Sequence, residues 1–306
     1  MANSRLLRAN VLLLLASAIW GFAFVAQRIG ADYVGPFTFS AVRFAMGAVV
    51  MIVVIKVLDW KRGLSKARRA AATRMVLWPG LACGTLLAAA VGFQQASMPQ
   101  ASAGDAAFIT ALYIVIVPIF GLFFGRRIGW QLVVGVAACV VGMYLICITD
   151  DLVLGTSDLL LLAAATVFAI QIMLVDRYTN RVSALRFATA QFVSCAVISA
   201  VLALLLDPVP FGGLDQAVIP LIYGGVGSVG IAYTLQVLGQ RDALASHAAL
   251  IMSLEAVFGG LGGALILNED MGQRGYIGAA LMVAGILVSH LGTLIPSKRK
   301  QEAPSG

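Results

Sequence analysis

Apolar residues in this chain neither alternate with polar ones nor recur on one helical face; they run in long blocks, with polar and charged residues gathered between them. A hydrocarbon core of about 30 Å is crossed by about 20 helical residues, each rising about 1.5 Å. Ten blocks of that length stand at residues 9–28, 36–57, 75–97, 102–124, 130–149, 157–175, 184–206, 217–238, 246–267 and 274–294. Barrel strands would alternate apolar and polar residues over about ten positions, and these blocks do not. The pattern predicts an all-α integral membrane protein with ten transmembrane helices.

The chain opens MANSRLLRANVLLLLASAIWGFAF, with a basic head, an apolar run and an Ala-Ser-Ala that resembles a cleavage site. The apolar run continues past that point through Trp20 to Ala26, so the segment reads as an uncleaved first helix. Composition agrees: 60% hydrophobic and 11% charged residues describe a membrane protein rather than a soluble domain of 306 residues.

Basic residues cluster at Arg5 and Arg8, from Lys56 to Arg74, at Arg126 and Arg127, at Arg177, Arg181 and Arg241, and at Lys298, Arg299 and Lys300. With the N-terminus in the cytoplasm, all of these fall inside, as the positive-inside bias requires. Outside loops then hold Arg28 and Arg274 with the acids Asp150, Asp151, Asp158, Asp207, Asp215, Glu269 and Asp270. Both termini are expected in the cytoplasm, and the protein in the cell (inner) membrane. The net charge of +7 follows from this bias and from attraction to anionic lipid, with no nucleic acid as partner. The segment KVLDWKRGLSKARRAAATR reads as a solvated cytoplasmic linker, and SKRKQEAPSG as a disordered tail.

Two arginines remain, Arg43 and Arg186, and they mark a repeat: AVRFA at 41–45 returns as ALRFA at 184–188. At the same offset Gly135 and Gly142 fall on Gly278 and Gly285, Leu122 and Gly129 on Leu265 and Gly272, and Gln94 one residue from Gln236. Trp20-Gly21 likewise falls near Phe168-Ala169. The repeats are expected at 1–149 and 150–306, five helices each. An odd number of crossings sends the second copy in from the opposite side, which makes the repeat inverted. Such bundles place a site near the midplane that opens to either side as the halves exchange conformations. Symmetry thus points to transport.

WGFAFVAQRIG, PFTFSAVRF and FQQASMPQASAGDAAFITALYIVIVPIFG resemble the first repeat of EamA-type carriers of the drug/metabolite transporter superfamily. QVLGQRDALASHAALIMSLEAVFGGLGGALILNEDMGQRGYIGAALMVAGILV resembles the second. The resemblance covers residues 9–294. It implies ten helices, both termini inside, and a central cavity lined by helices one, three, four, six, eight and nine. Arg126 stands where the family commonly has an acid, and Ala256 where proline would kink helix nine.

Catalytic chemistry finds little footing. Cys83, Cys139, Cys147 and Cys195 lie inside helices at spacings of neither a metal site nor a redox pair, and read as small apolar fillers. His247 and His290 have no acid and serine at nucleophilic spacing, and no Gly-rich phosphate loop follows a strand. No catalytic residue, metal site or cofactor is expected, and an enzyme is poorly supported.

Polar groups inside the blocks are more informative. Trp20 lies within helix one, where its indole N–H needs a partner; it is either packed core or a cavity wall. Gln94, Gln95, Gln171, Gln236 and Gln240 must face inward in lipid, bridging helices or binding a polar substrate, and Tyr113 and Tyr233 join them. Among these, Trp20, Gln94, Tyr113, Gln171, Tyr233 and Gln236 are the candidates for the substrate path. Glu255, near the middle of helix nine, costs roughly 2.5 to 3.5 kcal/mol to insert ionised, a property that suits a proton-coupled carrier or a hydrogen-bonded structural carboxyl. Arg43 lies about 10 Å below the outer start of helix two and needs carbonyls, a carboxylate or a substrate. Because Arg186 repeats it, the economical reading is a duplicated clamp at helix ends, one copy of which can also face the cavity. Gly80/Gly84, Gly224/Ser228 and Gly259/Gly263 are small-residue pairs that allow close helix packing or a homodimer.

The sequence therefore predicts a secondary carrier, most simply an exporter, of small neutral or zwitterionic metabolites such as amino acids. The absence of a Lys and Arg cluster on the cavity helices disfavours sugar phosphates. A broad exporter of lipophilic toxic compounds is the alternative, and a membrane-embedded enzyme or lipid-handling protein a weaker one.

Overall fold

The computed structural model describes residues 2–125, 128–147, 155–268 and 272–294. Arg126, Arg127, Asp150, Asp151, Glu269, Asp270 and the tail from 297 onward, which carry part of the charge pattern, lie outside the described residues. So do the side chains of Cys147 and His290.

Every described element is helical. In order these are α1 (Ala2–Ala31), α2 (Pro36–Lys61), α3 (Lys66–Ser97), α4 (Ala103–Ala111), α5 (Tyr113–Phe123), α6 (Trp130–Cys147), α7 (Thr156–Tyr178) and α8 (Ala184–Leu206). Then come α9 (Val218–Ile222), a π-helical run Tyr223–Tyr233, α10 (Thr234–Gly239), α11 (Ala245–Met252), α12 (Glu255–Ile266) and α13 (Gly272–Leu294). Among the described residues eight helical spans are long and apolar enough to cross a bilayer; α4 with α5, α9 through α10, and α11 with α12 each count as one. A shorter apolar helix covers Trp130–Leu145. The outer surface is apolar: Leu205 is 72% and Ile219 81% exposed, which is stable against lipid rather than water. This is a multi-pass membrane protein.

Local chemistry sets the ends. Pro36 at the start of α2 needs no hydrogen-bond partner for its missing N–H, and Gly63, at φ +60°, closes that helix in the left-handed region. The expected linker between helices two and three is helical from Lys66. Ser65 Oγ accepts from the Arg68 N–H at 3.4 Å, and the Lys, Arg and Ala that follow are strong helix formers. Hydropathy alone missed this because the residues are charged, not because they disfavour a helix.

Glycines bring the helices together. A Cβ on Gly135 would sit 2.7 Å from Gly285 O, and one on Gly142 would sit 2.5 Å from Gly278 O, so α6 and α13 run antiparallel in close contact. The pairing is reciprocal: Gly135 corresponds in sequence to Gly278 and Gly142 to Gly285, and each packs against the other's counterpart. Gly84 likewise meets Ser194 of α8, and Gly259 meets Ala107. Packing within the chain thus occupies the small-residue faces on α3 and α12.

Side chains repeat the pattern. Gln95 Nε2 donates to Gln27 O at 3.1 Å and Gln240 Nε2 to Ile172 O at 3.1 Å, both across 68 positions. Asp207, closing α8, accepts from the Thr38 N–H at 2.7 Å and caps the start of α2, where the helix dipole favours a carboxylate. Asp59, near the end of α2, binds Arg186 near the start of α8 at 2.6 Å.

Candidate substrate site

Two of the long spans are interrupted at mid-length. α4 ends and α5 begins around Leu112; α11 and α12 part at Ser253 and Leu254. The second break occurs without proline, since Ala256 lies just beyond it. A third span unwinds into the π-helical run Tyr223–Tyr233, a rare winding that is frequent at functional sites. These irregular stretches converge on one cavity, as expected where backbone departs from α-helix at membrane depth.

Trp20, Gln94, Tyr113, Tyr233, Gln236, Glu255 and Arg43 all line this cavity, together with Phe24, Gln27, Thr110, Phe168, Ile172, Ser228 and Met252. The space between its atoms is about 440 Å³, of which only about 40 Å³ is open to the centre of a water molecule. That leaves room for roughly three waters, so a larger cargo enters only as the helices move apart.

Each side chain is held in place. Trp20 Nε1 donates to Ser228 O at 3.3 Å, and its ring meets Tyr233 edge to face with centroids 4.7 Å apart. Gln94 Nε2 donates to Thr110 Oγ1 at 3.3 Å. Tyr113 Oη donates to Glu255 Oε1 at 2.9 Å. Glu255 is the first residue of α12, at the end of the helix dipole that favours negative charge. Gln27 Oε1 and Gln236 Oε1 are buried with no hydrogen-bond partner among the described residues.

Arg43 departs from the clamp expected for it. It lies seven positions beyond Pro36, within α2 rather than at its end, whereas Arg186 is two positions beyond Ala184. Arg186 is the clamp, bound to Asp59 and, at 3.0 Å, to Thr73. Arg43 is 1% exposed, and neither its Nε nor its Nη2 has a hydrogen-bond partner among the described residues. Its guanidinium carbon stands 5.6 Å from the Phe39 ring centre and 5.2 Å from that of Phe44. Gly224 leaves space for the aliphatic stem, since a Cβ there would touch Arg43 Cδ at 3.4 Å. Arg43 and Glu255 form no ion pair, and Tyr233 stands within electrostatic reach of both.

Gln171 stands apart from this group. It is absent from the cavity lining, and its Nε2 donates to Gln191 Oε1 on α8 at 3.0 Å, so it bridges helices. Thr110 and Gln27 line the cavity but were not singled out from sequence, and Ser228 was read only as one of a small-residue pair. Hydroxyls inside a helix can bond their own backbone and so leave no signal in the pattern.

Comparison with known proteins agrees with this architecture. A protein of Archaeoglobus fulgidus described as an uncharacterized transporter is 26% identical over 286 residues, covering 93% of this chain and 86% of its own. The uncharacterized transporter YoaV of Bacillus subtilis is 22% identical, covering 92% of this chain and 95% of its own. A solved structure described only as the crystal structure of a protein shares the fold, with a TM-score of 0.77 at 20% identity, over 94% of this chain and 99% of that one. The sequence model of the EamA-like transporter family matches twice, at residues 7–148 and again at 155–291, and with most of its length accounted for in this way the chain belongs to that family.

Proposed function

We propose that the protein is a secondary carrier that exports small neutral or zwitterionic metabolites, amino acids among them, by alternating access between two inverted five-helix repeats in the inner membrane, with both termini cytoplasmic. The observation that carries this reading is the reciprocity of the internal contacts. Gly135 with Gly285 and Gly142 with Gly278, and the twin glutamine bonds from Gln95 to Gln27 and from Gln240 to Ile172, are what two copies related by an approximate two-fold axis would make. A cavity at the convergence of both copies can then be exposed to each side in turn. Its amides, tyrosines and aromatic walls suit a small, largely uncharged cargo.

Counterflow in proteoliposomes against amino acids, nucleosides and lipophilic cations tests this. Saturable counterflow of amino acids is expected. Exchange of lipophilic cations alone would favour a broad exporter, and appearance of a chemical product would favour an enzyme. Efflux from preloaded cells tests direction.

A further inference from the structure

Building on the carrier reading, we propose that the cavity binds its cargo as a zwitterion, with Arg43 taking up a carboxylate and Glu255 an ammonium group. The fold supplies a carboxylate to one member of the repeated arginine pair and withholds it from the other. Arg186 has Asp59 at 2.6 Å, while Arg43, fully buried, has none. A buried cation left without an anion costs several kcal/mol, more than the Phe39 and Phe44 rings offset.

The unpartnered atoms are informative in themselves. Nε and Nη2 form one edge of the guanidinium, and two adjacent N–H groups on that edge match the two oxygens of a carboxylate. Across the cavity Glu255 is 4% exposed and accepts the Tyr113 hydroxyl on Oε1, with no cation paired to it among the described residues. An unpartnered guanidinium and a carboxyl group therefore line one cavity with no ion pair between them. A zwitterion supplies both missing partners, whereas a phosphate dianion would meet Glu255 and a simple cation would meet Arg43. Phe24, Phe168, Ile172 and Met252 provide an apolar wall for an uncharged side chain.

The test uses the full chain in proteoliposomes with labelled L-leucine, competed by 3-methylbutylamine, which lacks the carboxylate, and 4-methylpentanoate, which lacks the amine. Wild type is expected to prefer leucine over either analogue by at least tenfold. Arg43→Gln should erase the preference over the amine and keep that over the acid, and Glu255→Gln should do the reverse. Arg43→Lys, which keeps the charge and loses the paired edge, should fold like wild type and weaken leucine about tenfold, or about 1.4 kcal/mol. Leucine-dependent melting shifts in detergent provide a binding readout independent of transport. A shift without counterflow, lost in Arg43→Gln, would uphold zwitterion binding and overturn the carrier reading. Saturable counterflow with equal losses for leucine and both analogues in folded Arg43 variants would overturn the zwitterion site and leave the carrier standing. Neither counterflow nor any melting shift with leucine would overturn both.

Discussion

Tyr113 and Glu255 stand 142 positions apart, within one residue of the sequence repeat, and the tyrosine hydroxyl donates to the glutamate carboxylate at 2.9 Å. Each residue opens the second half of an interrupted span, α5 and α12. In the inverted-repeat reading a group near the axis faces its own counterpart. Two glutamates there would repel in a low dielectric, while tyrosine and glutamate form a hydrogen bond. Tyr113→Phe should therefore lower the melting temperature by an amount equivalent to about 1 to 3 kcal/mol, because a buried acceptor loses its donor. Glu255→Gln keeps an acceptor oxygen for Tyr113 and should cost less. Equal melting of Tyr113→Phe and wild type in detergent would refute the pairing.

Glu255→Gln also separates two roles for the carboxylate. If its task were only to carry a coupling proton, exchange at equal concentrations would survive and pH-driven accumulation alone would fail. As a counter-charge for an ammonium group, its loss should raise the KM for exchange as well, and that is the expected result in counterflow measured at several substrate concentrations.

Gln94 and Gln171 should part company. Gln94→Ala removes a cavity group and is expected to weaken transport several-fold with melting almost unchanged. Gln171→Ala strands Gln191 and should lower melting, by the equivalent of about 1 to 3 kcal/mol, with the KM unaltered. A matched effect of both on KM would place Gln171 in the path after all.

The clamps at the ends of α2 and α8 predict a graded series. Asp207→Ala removes the cap on Thr38 and should cost about 0.5 to 2 kcal/mol. Asp59→Ala leaves Arg186 without its carboxylate and should cost more, though less than the roughly 3 to 5 kcal/mol of a fully buried pair, since both side chains keep some exposure. Adding Arg186→Leu to Asp59→Ala should restore part of the loss, measured as detergent melting.

Orientation can be read with single cysteines in a background lacking the native four. Positions 150–155 and 268–271 should react with an impermeant maleimide from outside, and positions 62–65 should not. The reverse pattern would remove the inverted topology, because it depends on an odd number of crossings per half.

Block hydropathy located the spans closely: 184–206 is α8 to the residue, and 36–57 shares its first residue with α2. Winding was not legible. The breaks at Leu112 and Leu254 and the π-helical run Tyr223–Tyr233 fall in sequence as apolar as the rest, and no proline stands at the second break. The cavity was legible through its cost, since an amide, tyrosine or charge in lipid has to face inward. Facing inward does not choose between cavity and helix contact, and Gln171 makes a helix contact. The arginine motif misled in a different way. Nearly identical pentapeptides sit at different depths because α2 starts at Pro36 and α8 at Ala184, so one arginine reaches a helix end and the other does not.

The glycine seam between α6 and α13 has an evolutionary consequence. Its reciprocal geometry means that four positions make only two independent bites, so substitutions at Gly135 and Gly285 should be tolerated or rejected together, as should those at Gly142 and Gly278. A bulkier residue on one helix can be offset only by its partner on the other, in the distant half of the chain. The halves are thereby bound to a shared mutational history: neither can drift alone, and a recombinant joining halves from distant relatives should fail at this seam before it fails at the cavity.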